Sequence, residues 1–253
     1  MAATPIADGL DSWERTVRRT WRTLASAAER TIARIDAVGE PAPGLGAGCA
    51  PVLVFGGYAN HESAVGAIAR SLARDGFDVH TMTIPGHGMG DVREQRLAVR
   101  RRVEQVRAAT GADRVDLVGY SHGGYVARAA AQFDGGDASI GRVVTLATAN
   151  AGFDFGRFNA VADRILPLAV RQVRRGSELI EELLATGVHA DVVAIGSHGH
   201  DLIIPARSGV IEGKRFVAID EGRRLGPLSR VTHLRVLTDA HAYELLRGVL
   251  AGA

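Results

Sequence analysis

The sequence places one serine in a setting that makes a serine hydroxyl a nucleophile. Ser121 is the central residue of Gly119-Tyr-Ser-His-Gly123, so a glycine lies two positions away on either side. The largely aliphatic residues 115–118 favour a buried strand, and the Ala-rich residues 125–132 favour a helix. A strand, a Gly-x-Ser-x-Gly turn and a helix are together typical of a nucleophile elbow, in which the serine lies on a tight, strained turn.

A serine nucleophile requires a base that takes its proton and a carboxylate that orients the base. In the strand–turn–helix arrangement these groups follow the serine along the chain, first the acid and then the base. We predict Asp201 as the acid, because it lies on the loop after a predicted strand at 190–195. Asp191 begins that strand and Asp220 comes one strand later, which leaves both as weaker alternatives.

Two histidines compete for the role of the base. His233 follows the last predicted strand and a loop, whereas His241 lies within or at the start of the final predicted helix. We predict His233, because a histidine on a helix is more often a packed or exposed residue. Three other histidines precede the serine and are disfavoured by the chain order: His61, His80 and His87.

An oxyanion formed at this serine would need two backbone N–H donors. We expect one from His122, directly after the nucleophile, and one from Tyr58 in the Gly-rich loop 56–60. The glycines of that loop would also serve a plain strand-to-helix turn.

A short cluster of His198, His200 and Asp201 raises the alternative of a metal site. Zinc normally binds four ligands, or three and a water, from residues that are better separated along the chain. We therefore predict neither a metal nor a cofactor.

Strands and helices alternate along most of the chain. The predicted strands are 51–55, 77–83, 114–119, 141–146, 190–195 and 215–219, and the helices between and after them include 61–74, 92–109 and 239–250. This alternation predicts an α/β fold with a mostly parallel, doubly wound sheet. Residues 151–188 interrupt it with a long apolar helical segment, which is either a cap or lid over a substrate pocket or an extra pair of core helices.

Residues 11–38 are predicted to form one amphipathic helix. Apolar residues recur every three or four positions from Trp13 to Ile35, and arginines occupy the other faces. With the Pro- and Gly-rich linker 40–50, the helix makes an N-terminal region, 1–50, ahead of a main domain at 51–253. We favour packing of the apolar stripe on the main domain or on a second subunit of a homo-oligomer; peripheral contact with an anionic membrane is the alternative.

Length and charge favour one large domain that works without nucleic acid. The chain has 253 residues and a formal net charge of +2, and its arginines are not interleaved with aromatic residues at the density typical of nucleic-acid binding. No apolar run approaches the roughly 18 residues of a membrane span, and the N-terminus lacks the features of a signal peptide. A cytoplasmic location is expected, or a secreted one if a signal sequence has been removed.

These motifs resemble those of bacterial lipases and esterases of the α/β-hydrolase superfamily, over about residues 51–250. The similar stretches are 51–58, 111–124, 196–205 and 232–237, which correspond to the family's oxyanion strand, elbow, acid loop and His-Leu segment. The resemblance implies an α/β-hydrolase fold with the triad Ser121, Asp201 and His233 and the oxyanion donors Tyr58 and His122. Two departures concern the acyl pocket: a glycine at 56 replaces the usual histidine, and 145–152 lacks a Thr-Pro-His.

The resemblance further implies a serine carboxylic-ester hydrolase acting on a small ester or lipid, such as an acylglycerol or another fatty-acyl ester. A thioesterase or a polyester hydrolase would use the same residues. A non-catalytic, lipid-binding protein of this fold and a membrane-recruitment module centred on residues 11–38 are the alternatives from other classes. All three triad positions hold competent residues, which favours an enzyme.

Overall fold

A computed structural model of the chain describes residues 34–134, 138–154, 166–198, 207–221 and 232–252. Within these ranges one sheet contains the strands β1 (Val52–Phe55), β2 (Val79–Met82), β3 (Val115–Tyr120), β4 (Ile140–Leu146), β5 (Asp191–Gly196) and β6 (Arg215–Ala218). Their order is β2-β1-β3-β4-β5-β6, and every neighbouring pair is parallel. The predicted α/β fold with a parallel, doubly wound sheet is confirmed.

Helices connect the strands and cover both faces of the sheet. They are α1 (Gly66–Arg74), α2 (Val92–Thr110), α3 (His122–Gln132), α4 (Leu168–Gln172), α5 (Glu178–Ala185), α6 (Thr232–Arg235) and α7 (Ala240–Leu250). Short 3-10 turns occupy Glu62–Val65 and Pro85–Gly88. Side-chain caps fix the start of α2 and α7, where Asp91 accepts from Arg93 N–H at 2.8 Å and Asp239 accepts from Ala242 N–H at 3.0 Å.

The core has two layers because alternate residues of each strand point to opposite faces of the sheet. In β1, Leu53 and Phe55 belong to the core formed with α2, α3 and α5, whereas Val52 and Val54 belong to the core formed with α1 and α7. All four side chains are buried. Burial on both faces is typical of a parallel sheet, and it makes the central strands a rigid base for the loops at their carboxyl ends.

The apolar insertion is not one long helix. Residues 168–185 form two short helices, because Gly176 has a left-handed φ of +75° and the Ser177 side chain then caps a new helix by accepting from Ile180 N–H. On α5, Ile180 is fully buried in the same core as α3. This part of the predicted cap is therefore an extension of the core, and residues 155–165 of the insertion lie outside the described residues.

The predicted N-terminal helix, 11–38, lies mostly outside the described residues, but its predicted end is wrong because residues 35–38 are not helical. Their backbone groups bond to α1 instead. The Arg70 guanidinium donates to Ile35 O at 2.5 Å and Asp36 O at 3.0 Å, and Val38 N–H donates to Ser71 Oγ at 2.6 Å. Residues 35–38 are thus a non-helical strap on the main domain.

A buried carboxylate joins α1 and α7 to the linker that follows this strap. Asp75 is fully buried and accepts hydrogen bonds from Ala42 N–H at 3.0 Å, Tyr243 Oη at 2.6 Å and Arg247 at 3.0 Å. Arg74 makes a further ion pair with it at 3.2 Å. Burial favours the neutral form, but these donors outweigh it and lower the pKa of Asp75 to about 2.

We expect Asp75→Asn to lower the free energy of unfolding at neutral pH by about 2–3 kcal/mol, the energy that matches a pKa lowered by roughly two units. Since the folded-state pKa of about 2 lies below the 3.8 that is usual for an aspartate in the unfolded chain, this stabilisation is present above about pH 4 and is lost as the pH falls towards 2. Urea unfolding at pH 7 and pH 3 should show the gap between wild type and variant narrowing at the lower pH. The control is Asp78→Asn, at a carboxylate that is 53% exposed; equal losses for both variants at pH 7 would contradict the prediction.

Candidate active site

Ser121 lies on a strained turn at the carboxyl end of the central strand β3, directly before α3. Its φ of 54° and ψ of −122° are rare for a residue with a side chain and cost about 1–3 kcal/mol. Bonds on both sides hold the turn: Ser121 N–H donates to Leu146 O at 2.8 Å, and Ser121 O accepts from Thr148 Oγ1 at 2.8 Å and Gly124 N–H at 3.0 Å. This backbone geometry is that of a nucleophile elbow.

Close backbone contacts explain three glycines of the elbow. A Cβ atom on Gly119 would clash with the carbonyl of Gly123, and one on Gly123 would clash with the carbonyl of Gly56. A Cβ atom on Gly124 would overlap Thr148 Oγ1, the hydroxyl that bonds to the carbonyl of the serine. The small residues of the motif are therefore needed for packing as well as for the turn.

The structure brings His233 to the serine. The distance from Ser121 Oγ to His233 Nε2 is 2.9 Å, which is hydrogen-bond reach for proton transfer. His233 lies on the short helix α6 and is 8% exposed. The competing His241 lies on α7 and is half-buried. Of the two candidate bases, His233 is the one that contacts the nucleophile.

The loop that carries Tyr58 packs directly against the elbow. Gly57 and Asn60 close this loop, since Gly57 N–H donates to Asn60 Oδ1 at 3.1 Å and Asn60 N–H donates to Gly57 O at 3.3 Å. A Cβ atom on Gly57 would lie 2.9 Å from both His122 N and Ser121 Cβ, so only glycine allows this approach. The two peptides predicted as oxyanion donors are therefore neighbours at the elbow.

The side chain of His122 has a packing role. It is 5% exposed, and burial lowers its pKa to about 4, so the imidazole is neutral at neutral pH. Its Nε2 atom lies 3.1 Å from Gln95 Oε1, and Gln95 Nε2 donates to Pro85 O at 3.2 Å. This chain of bonds ties α3 to α2 and to the turn at 85–88, which leaves only the backbone of His122 for the predicted oxyanion role.

The predicted acid, Asp201, lies outside the described residues. The alternative Asp220 is 8% exposed and accepts from Ser197 Oγ at 2.7 Å and His198 N–H at 3.1 Å, so it holds the start of the loop that leads to Asp201. Asp191 begins β5 at the opposite edge of the sheet from Ser121, where its exposed side chain pairs with Arg142 at 3.0 Å. Position thus argues against Asp191.

No second candidate centre is evident in the described part of the chain. There, no group of three His, Cys, Asp or Glu residues is placed to hold a metal ion, while His200 and Asp201 of the predicted cluster lie outside it. Two cavities of about 560 and 310 Å³ adjoin α5, and neither lining contains Ser121 or His233. Within the same residues, every helix is too short or too polar to cross a membrane.

Sequence reasoning missed two side chains that hold Ser121 and His233 in place. Tyr120 Oη donates to His233 O at 2.8 Å, and Thr148 Oγ1 bonds to the carbonyl of Ser121. Tyr120 lies inside the Gly-x-Ser-x-Gly motif, so its place beside the nucleophile was visible in the sequence. Its bond to a residue 113 positions away has no local signal.

The chain has a parallel α/β sheet, with a serine–histidine pair on an elbow after the central strand. These features define a class of doubly wound proteins in which loops at the carboxyl ends of the strands carry the site. The chain belongs to the alpha/beta hydrolase fold family, whose family model matches residues 51–183. No curated protein matches the sequence at a significant level.

Solved structures share this fold at low sequence identity. The mature form of the Bacillus licheniformis lipase BlEst2 is 13% identical, with a TM-score of 0.59 over 85% of this chain and 96% of that one. Aspergillus fumigatus lipase B is 15% identical, with a TM-score of 0.58 over 85% of this chain and 64% of that one. A lipase-esterase related protein from Clostridium acetobutylicum is 14% identical, with a TM-score of 0.51 over 83% and 96%. At these identities the likeness shows the fold.

Proposed function

We propose that this protein is a serine hydrolase of carboxylic esters that works through an acyl-enzyme intermediate. The observation that carries the proposal is the 2.9 Å distance from Ser121 Oγ to His233 Nε2 on a strained elbow. A serine hydroxyl is a weak nucleophile until a base accepts its proton, and this geometry supplies such a base. The strain at Ser121 supports a chemical role, because a costly backbone conformation is retained where function requires it.

In the proposed mechanism Ser121 attacks the acyl carbonyl while His233 takes the hydroxyl proton. His233 then gives that proton to the leaving alcohol, and water releases the acid from the acyl-enzyme in a second, equivalent step. Asp201 holds the imidazole tautomer, and the backbone N–H groups of Tyr58 and His122 stabilise the oxyanion. The low pKa of the His122 side chain supports this division of roles, because a neutral imidazole there does not compete as a charged group.

We propose acylglycerols or other fatty-acyl esters as the substrates. The apolar composition of the segment inserted between β4 and β5 supports this, because such a segment after the central strands is where an acyl-binding wall is expected. The fold shared with proteins named as lipases adds support of a weaker kind. The chemistry assigned to Ser121 and His233 requires no cofactor.

The test is covalent labelling of the purified protein with a fluorophosphonate, followed by peptide mass spectrometry. We expect the label on Ser121, and hydrolysis of p-nitrophenyl esters from acetate to palmitate with a maximum at the longer chains. Hydrolysis of an acyl thioester with the same acyl chain tests the thioesterase alternative, which predicts faster turnover of the thioester than of the ester. Absence of both labelling and ester hydrolysis in folded protein would contradict the proposed function, and preference for acetate would contradict only the substrate class.

A further inference from the structure

We infer that Tyr120 is a positioning residue for the base His233, an inference that rests on the proposed function. Tyr120 is the last residue of β3, directly before the nucleophile, and is 2% exposed. Its hydroxyl donates a hydrogen bond to His233 O at 2.8 Å, and the two rings lie with centroids 5.3 Å apart at an interplanar angle of 36°. The strand β3 therefore leads directly into the nucleophile, and its last residue also holds the base.

The bond acts on the backbone of His233 and not on its imidazole. The bond therefore persists whether the imidazole is neutral or has accepted the serine proton. A residue that positions the base in both acylation and deacylation must have this property. In a buried site such a bond is also stronger than in water, because the local dielectric is low. Tyr120 thus fixes the origin of the His233 side chain relative to Ser121 without taking part in proton transfer.

The residues after His233 have their own anchors. Val236 and Leu237 are buried in the core that also contains Tyr120, α1 and α7. The segment should therefore stay folded when the tyrosine hydroxyl is removed, while the peptide of His233 gains freedom to move. Since displacements of about 1 Å between reacting groups can cost up to 100-fold in rate, the loss should appear in catalysis more than in stability.

We expect Tyr120→Phe, which keeps the ring, to lower kcat for a p-nitrophenyl ester by about 10- to 100-fold with KM changed less than about threefold. The rate of fluorophosphonate labelling should fall in parallel, because it also depends on the base. Replacing Tyr120 with 4-aminophenylalanine returns an N–H donor to the same place and should restore most of kcat. If Tyr120→Phe does not fold, the 4-aminophenylalanine variant still tests the inference: a low kcat in that folded variant would overturn it.

The matched control is Tyr243→Phe. It also removes a hydrogen bond from a buried tyrosine hydroxyl, here to Asp75 at 2.6 Å, on α7 and away from the elbow. We expect it to lower the melting temperature at least as much as Tyr120→Phe does while kcat stays near the wild-type value. Equal kcat losses in the two variants, or a kcat of Tyr120→Phe within twofold of wild type, would overturn the inference. Failure of the folded wild type both to hydrolyse esters and to react with the probe would instead overturn the proposed function.

Discussion

Ser121→Ala should lower kcat for ester hydrolysis by about five orders of magnitude or more. The covalent route cannot begin without the hydroxyl, and in serine hydrolases the groups that act on the serine then contribute little by themselves. Fluorophosphonate labelling should disappear with the activity. The expected loss is larger than for any residue that only orients another group, because the acyl-enzyme itself cannot form.

A control for this variant must separate lost chemistry from lost structure. Alanine at 121 keeps a Cβ atom in the same strained conformation, so circular dichroism and the unfolding midpoint should stay close to the wild type. Ser139→Ala, directly before β4 at the opposite edge of the sheet, should retain full activity. Appreciable turnover by folded Ser121→Ala would show that another residue is the nucleophile.

The elbow could be predicted from sequence because most of its causes are local. A hard-sphere contact with the Gly123 carbonyl demands glycine at 119, and the flanking strand and helix have their own composition signals. The contact that demands glycine at 123 is with the distant carbonyl of Gly56 and gives no local signal. His233 could be predicted from chain order, since parallel strands bring successive carboxyl-end loops to one edge of the sheet. Neither inference needed the three-dimensional position of any side chain.

Other features depend on contacts between distant segments and carry no local signal. The strap at residues 35–38 is not helical, because Arg70 and Ser71 bind its backbone, although its side chains continue a helical pattern. The apolar insertion was predicted as a long helical segment, either a cap or an extra pair of core helices. The turn at Gly176, after which Leu179 and Leu183 pack into the core, was not predicted. Hydrophobic periodicity indicates which face of a segment is apolar. It does not show where the chain must bend to bury that face.

His233→Ala should lower kcat by about four to six orders of magnitude, whereas His241→Ala should change it less than about threefold. The physical reason is the contact itself: of these two histidines, His233 places a ring nitrogen 2.9 Å from Ser121 Oγ, while His241 lies in the first turn of α7. Labelling by the fluorophosphonate should slow to a similar extent in His233→Ala. Loss of activity in His241→Ala alone would show that the assignment of the base is wrong.

Added imidazole sharpens this comparison, because His233→Ala leaves space at the position of the buried ring. Free imidazole that enters this space can accept the proton of Ser121, so it should restore part of the hydrolysis rate in proportion to its concentration. It should restore nothing to Ser121→Ala, in which no proton acceptor can generate a nucleophile. A rate gain of equal size in both variants would mean that imidazole attacks the ester directly. Rescue confined to His233→Ala would therefore place the proton transfer at the pair that the fold brings together.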